Sequence, residues 1–120
     1  MCLCVFIKKN YISYVKNLEV ISKPTGIANI IGNKGGVMIA FRIHETSFCF
    51  VSCHLAAQQN RELLRKTNYH DLIKSMRIGI KELEFCFQFD YVFWVGDFNF
   101  RIDRIFFIII NNYNSSNRSF

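Results

Sequence analysis

Apolar and polar positions along the chain fall into several extended stretches, one long helical stretch and a tail without period. Residues 3–8 predict a strand, and 11–17 a short helix whose Ile12 and Val15 would face a core. Residues 19–25 read as extended, stopped by Pro24 and Gly26. A glycine-punctuated loop then leads to two strands, 36–44 and 47–54, with His44-Glu45-Thr46 as a tight hairpin turn between them. From 58 to 77 the spacing becomes helical. Leu64, Leu72, Ile73 and Met76 are its candidate core residues, while Arg61, Arg65 and Asn68 recur so as to share another face. A less regular link leads to a last strand over 90–95. Strands, then a helix, then a strand predict layered α/β packing.

The last strand, YVFWVGDFN, poses a question. Aromatic and branched residues mark it for burial, yet it runs into Asp97 and Asn99. A carboxylate at the end of a buried strand is costly unless something pairs with it. With Phe98 turned away, Asp97 and Asn99 are expected to project to one side of an extended chain. The plainer alternative is an Asx turn that closes the strand.

Composition narrows the class without choosing a function. The 120 residues, 51% of them hydrophobic, suit one globular domain. No apolar run approaches the roughly 18 to 20 residues that span a bilayer. The lysines of MCLCVFIKK follow the apolar stretch, the wrong order for a secretory signal, so a cytoplasmic protein is expected. Five cysteines without regular spacing suggest reduced thiols. Cys49, Cys53 and His54 invite a metal reading, but alternation on a strand turns the two cysteines away from His54 and makes them buried structural thiols. The net charge of +6 suits an anionic partner such as phosphoinositide, nucleotide or nucleic acid.

Beyond Asp103 the sequence changes to RIFFIIINNYNSSNRSF, an apolar run followed by asparagine and serine. Residues 104–120 resemble translated AT-rich noncoding sequence and are set apart as an atypical tail.

Three stretches carry the candidate chemistry. In GNKGG, Gly32, Gly35 and Gly36 could serve only a turn, but Lys34 among them is what phosphate binding requires, with backbone N–H groups and a point charge together. SCHLAA places His54 at a strand end ahead of a helix, where a histidine is as a rule structural or exposed but where α/β proteins also display functional groups. GDFN adds a carboxylate acceptor and an amide donor. Together they are the parts for metal-assisted hydrolysis of a phosphate ester.

TGIANIIGNKGGV, FVSCHLAA, RKTNYHDLI and FWVGDFNFRID, in this order and spacing, resemble the inositol polyphosphate 5-phosphatases of the endonuclease/exonuclease/phosphatase superfamily. The likeness runs over residues 5–103 and looks most like the SH2-containing inositol 5-phosphatases. It implies part of a four-layer α/β sandwich, two mixed sheets face to face with helices outside, and Mg2+-dependent removal of the 5-phosphate from phosphoinositides or inositol polyphosphates. By the same resemblance Asp97 would activate water, Asn99 would bind and polarise the scissile phosphate, and His54 would stabilise charge on it. Asn33, Lys34, Arg65 and Lys66 would bind substrate phosphates, with Lys66 standing where relatives carry asparagine.

The resemblance further implies peripheral contact with the cytosolic membrane surface and does not favour nucleic acid as a partner. The family's metal-binding glutamate motif, its upstream asparagine motif, its WCDR-like segment and its Asp-His pair find no match here. Residues 1–103 are therefore expected to be the middle of a catalytic domain, without a metal ligand of its own and inactive in isolation. A superfamily nuclease and a non-catalytic fragment that binds anionic lipid or a partner are the alternatives.

Overall fold

The computed structural model of the chain describes residues 1–25 and 34–100. Asn33, Gly32 and the tail 104–120 lie outside the described residues. A 3₁₀ turn, Lys9–Tyr14, leads into strand β1, Val15–Pro24. Strands β2, Gly35–Ile43, and β3, Thr46–His54, form a hairpin. Helix α1, Glu62–Ser75, crosses back over the sheet, and after a 3₁₀ turn at Phe85–Phe87 the chain enters β4, Tyr91–Asp97. The sheet runs in the order β1-β2-β3-β4, antiparallel except for β4, which lies parallel to β3.

The α/β layering and the hairpin agree with the sequence pattern, because strict alternation sorts residues to two faces. Met38 and Ala40 of β2 and Cys49, Val51 and Cys53 of β3 point into one core with Leu72 and Ile73 of α1 and Met76 just after its end, joined by Ile78 and Phe85. Each large side chain fully buried here contributes about 1.5 to 3 kcal/mol. Gly36 makes room for the helix. A Cβ there would lie 3.0 Å from both Leu72 Cδ2 and Met76 Sδ.

Several expectations are corrected. Residues 3–8 form no strand, and Phe6 is 94% exposed. An extended segment becomes a strand only with a ladder partner, and β1 takes the place beside β2. The predicted helix over 11–17 is instead a 3₁₀ turn that stops at Tyr14, because Val15 is drawn into pairing with Ile43. Ile12 is exposed as a consequence. Helix α1 starts four residues later than predicted, since Gln58 adopts φ 79°, outside the helical region. Leu64 is not a core residue, being 40% exposed, whereas Arg65 and Asn68 are buried on the same face as Leu72.

The other face of the sheet carries stacked rings. Phe41, Phe48 and Tyr91 follow one another across three strands at centroid distances of 5.8 and 5.5 Å, and Phe50 lies 5.0 Å from Phe93. Tyr91, Phe93 and Val95 are each about half exposed on this face. Such a contiguous apolar surface is what an inner face of a sandwich presents.

Both ends of the β3/β4 pair are pinned. At the start, Ser47 donates through its backbone N–H and its hydroxyl to Asp90 Oδ2, at 2.7 and 2.6 Å, and Asp90 N–H donates back to Ser47 Oγ. These bonds, chiefly the hydroxyl's, hold the Asp90 carboxyl below its usual pKa. A depressed folded-state value means that this contribution is present above the unfolded pKa and is lost as pH falls through the folded one. Acid titration of unfolding should show that loss in the wild type and not in Asp90→Asn.

At the far end Gly96 has φ 122°, and a Cβ there would fall 2.1 Å from Cys53 O. Gly96→Ala is expected to cost about 3 kcal/mol or more through strain and backbone displacement. Urea unfolding monitored at Trp94 measures it, and an unchanged midpoint would contradict the packing described.

Candidate active site

The parallel register of β3 and β4 pairs Phe48 with Tyr91, Phe50 with Phe93, Ser52 with Val95 and His54 with Asp97. His54 and Asp97 therefore close the aromatic face at the carboxyl ends of two parallel strands. On the other side of β3, His54 pairs with Gly35 of β2, which brings the adjacent Lys34 to the same end. A Cβ on Gly35 would fall 2.3 Å from Lys23 O, and its φ is 151°, so this glycine serves the close approach of β1.

The three side chains meet. Lys34 Nζ lies 2.7 Å from His54 Nε2, and Asp97 Oδ2 lies 3.4 Å from the same nitrogen. An ammonium has only protons to offer, so in this arrangement Nε2 accepts and the imidazole proton sits on Nδ1. Lys34 is then a cation held beside an imidazole lone pair. The His54 side chain is 28% exposed and that of Asp97 61%, so an anion approaching from solvent reaches both.

Asp97 and Asn99 do not project from an extended chain as predicted. Asn99 has φ 53°, and its N–H donates to Asp97 Oδ1 at 3.0 Å, which is the Asx turn. The turn and the approach to His54 coexist because a carboxylate has two oxygens: Oδ1 closes the turn while Oδ2 faces His54. The side chain of Asn99 reaches back, with Nδ2 donating to Leu55 O at 2.9 Å, and Leu55 N–H donates to Asp97 O at 3.0 Å.

Arg65 and Lys66 differ from each other. Arg65 is buried and its guanidinium donates to Gln58 O at 2.6 Å and Ala56 O at 3.4 Å. Lys66 is exposed and pairs with Glu62 at 2.7 Å, an arrangement that also lowers the Glu62 pKa. Asn68, which the sequence reading left without a role, is buried and accepts from Ala56 N–H at 3.2 Å. The signal for it was its spacing from Arg65 on one helix face.

Cys49 and Cys53 are core thiols, as predicted, and point away from His54. Burial pushes the Cys49 thiol up to about 12, and Trp94 Nε1 donates to Cys53 Sγ at 3.1 Å. Neither is a nucleophile or a thiolate ligand at neutral pH.

Among the described residues no three His, Cys, Asp or Glu side chains gather closely enough to hold a metal. Asp97 Oδ2 is a single exposed carboxylate oxygen with an ammonium-bearing neighbourhood, and by itself it does not make a Mg2+ site, which needs octahedral oxygen ligation.

A family profile described as "Endonuclease/Exonuclease/phosphatase family 2" matches residues 1–118. Synaptojanin-2 of Rattus norvegicus is 36% identical over 103 residues, covering 86% of this chain and 7% of that protein. Phosphatidylinositol 3,4,5-trisphosphate 5-phosphatase 2A of Danio rerio is 35% identical over 113 residues, covering 92% of this chain and 9% of that protein. The crystal structure of the inositol polyphosphate 5-phosphatase domain of SPsynaptojanin, in complex with inositol (1,4)-bisphosphate and calcium ion, superposes with a TM-score of 0.69 at 32% identity, over 90% of this chain and 32% of that one. The chain thus spans less than a tenth of these curated relatives and about a third of the structural neighbour.

Asn99→Ala should leave the carbonyl of the buried Leu55 without its partner and place alanine at a left-handed φ. The expected cost is about 1 to 3 kcal/mol. Equilibrium denaturation measures it, and Asn99→Gly, which removes the side chain but suits the backbone, should separate the two contributions.

Proposed function

The chain belongs to the endonuclease/exonuclease/phosphatase family, and on that footing we propose that it carries the central part of a phosphoinositide 5-phosphatase centre. The reaction is hydrolysis of the 5-phosphate of phosphatidylinositol phosphates or inositol polyphosphates. The observation that carries the proposal is the meeting of Lys34, His54 and Asp97 at the ends of parallel strands. The names of the relatives and the inositol bisphosphate bound by the structural neighbour support the substrate class.

In this mechanism a substrate phosphate takes the Lys34 ammonium from His54 Nε2, a change of partner from a neutral to an anionic acceptor. His54 then faces the phosphoryl oxygens, to which it donates once Nε2 carries a proton. Asp97 Oδ2 accepts the proton of the attacking water, whose oxygen bonds to phosphorus while the bond to the inositol oxygen breaks and that oxygen takes a proton from solvent. Asn99 spends one amide hydrogen on Leu55 O and retains a second for a phosphoryl oxygen. Asn33 and Lys66 are proposed as further phosphate contacts. Lys66 is readily released, since an exposed pair like that with Glu62 is worth little.

Mg2+ is the proposed cofactor, and because the described residues do not form its site, ligands from elsewhere are required. Because the sequence lacks matches to the family's metal-binding glutamate motif and its Asp-His pair, the 120-residue chain alone is proposed to release little or no phosphate. The open aromatic face is proposed as the inner face of a four-layer sandwich. No described helix is long and apolar enough to cross a membrane, and the +6 charge supports contact with an anionic cytosolic membrane surface.

Titration of the chain with inositol (1,4)-bisphosphate should show binding that weakens about tenfold in Lys34→Ala, the loss of one charge-assisted hydrogen bond. Unchanged binding would remove Lys34 from the site. Magnesium-dependent phosphate release by the chain would overturn its proposed inactivity, and cleavage of DNA with inositide ignored would favour a nuclease. Co-sedimentation with anionic vesicles alone would favour a lipid-binding role.

A further inference from the structure

The four residues after His54 have no regular secondary structure of their own, yet their backbone groups are held from two sides. Leu55 is bound through N–H and C=O by the strand end, at Asp97 O and Asn99 Nδ2. Ala56 is bound through N–H and C=O by helix α1, at Asn68 Oδ1 and Arg65 Nη1, and Arg65 Nη1 also reaches Gln58 O. Arg65 is only 5% exposed and Asn68 3%, on a helix face that continues into Leu72 and Ile73. Polar residues of these types are seldom so buried unless their partners are fixed. Both bonds come from Nη1, so that nitrogen of the buried guanidinium is committed to the backbone.

We infer that Arg65 and Asn68 are positioning residues of the site: by holding Ala56 and Gln58 they fix the strand end from which His54 projects between Lys34 and Asp97. The inference rests on the phosphatase reading for the meaning of the site, but its geometry does not. It gives Arg65 a role besides the phosphate binding that the family resemblance implies. It also adds Asn68, an uncharged residue whose only function here is an acceptor oxygen placed for one N–H.

The test uses the whole 120-residue chain with ¹⁵N-labelled histidine, the His54 ring signals being assigned by their loss in His54→Gln. Asn68→Leu keeps the side-chain size and deletes the acceptor, while Asn68→Asp keeps the acceptor. Asn68→Leu and Arg65→Lys are expected to shift the His54 ring nitrogens while His44 and the Trp94 indole N–H stay in place, and Asn68→Asp is expected to restore the wild-type signals. A merely stabilising role would lower the unfolding midpoint and leave His54 unmoved in the folded chain, which would overturn the inference. If Asn68→Leu does not fold, Arg65→Lys decides: a shifted His54 supports the inference and an unshifted one overturns it. Loss of inositol (1,4)-bisphosphate binding in Arg65→Lys with His54 unmoved would make Arg65 a ligand and also overturn it. Failure of that compound to move His54 in the wild type would defeat the phosphatase reading and leave the comparison of variants intact.

Discussion

The parallel register between β3 and β4 is the constraint on which the site depends. The β2-β3 hairpin decides which residues of β3 face α1, and pairing His54 with Asp97 then decides the same for β4. A slip of one residue would turn Asp97 into the core beside Cys53 and expose Trp94, so the register that buries the apolar set is the one that presents the carboxylate. Pins at both ends, Ser47 with Asp90 and the Cβ-free approach of Gly96 to Cys53, hold it there. Asp97 is tolerated at the end of an apolar strand because the strand delivers it to solvent, beside an imidazole and within an Asx turn.

Helix α1 serves two purposes along one face. Its second half packs Leu72 and Ile73 on the sheet, with Met76 just after its end, where Gly36 leaves room. Its first half gives up apolar burial so that Arg65 and Asn68 can satisfy the backbone of the irregular segment before it. Without those partners the buried Ala56 N–H and C=O would each cost on the order of 1 to 3 kcal/mol. The polar end of the helix is therefore the condition for a non-repetitive connection to lie directly beneath a functional strand end.

Much of this was legible in the sequence. The strands over 36–44 and 47–54, the buried thiols of Cys49 and Cys53, and the core role of Leu72, Ile73 and Met76 follow from periodicity alone, because each pattern has one arrangement that hides its apolar side. What periodicity could not supply was partnership. Residues 3–8 look like a strand, but no neighbour accepts them. Arg65 and Asn68 look like a solvated face, because nothing local shows that the backbone of Ala56 needs partners from a helix. Lys34 and His54 are 20 residues apart, and only the pairing of Gly35 with His54 brings them to 2.7 Å. The GDFN segment offered a turn or a functional pair as alternatives; the turn forms through Asp97 Oδ1, while Oδ2 stays turned toward His54.

The aromatic face and the candidate site are one surface. Phe48 and Phe50 precede His54 on β3, and Tyr91, Phe93 and Val95 precede Asp97 on β4, all on the side away from α1. When this face is open, water surrounds Asp97 and screens the Lys34 and Asp97 charges, and surface pairs of this kind are weak. Covering the rings with a second apolar layer would exclude water from one side of the same three residues and lower the local dielectric, which strengthens each charge–charge contact several-fold without moving an atom. The apolar ladder and the charged strand ends are thus two parts of one device. Whatever covers this sheet face therefore also sets the strength of the electrostatics at its end.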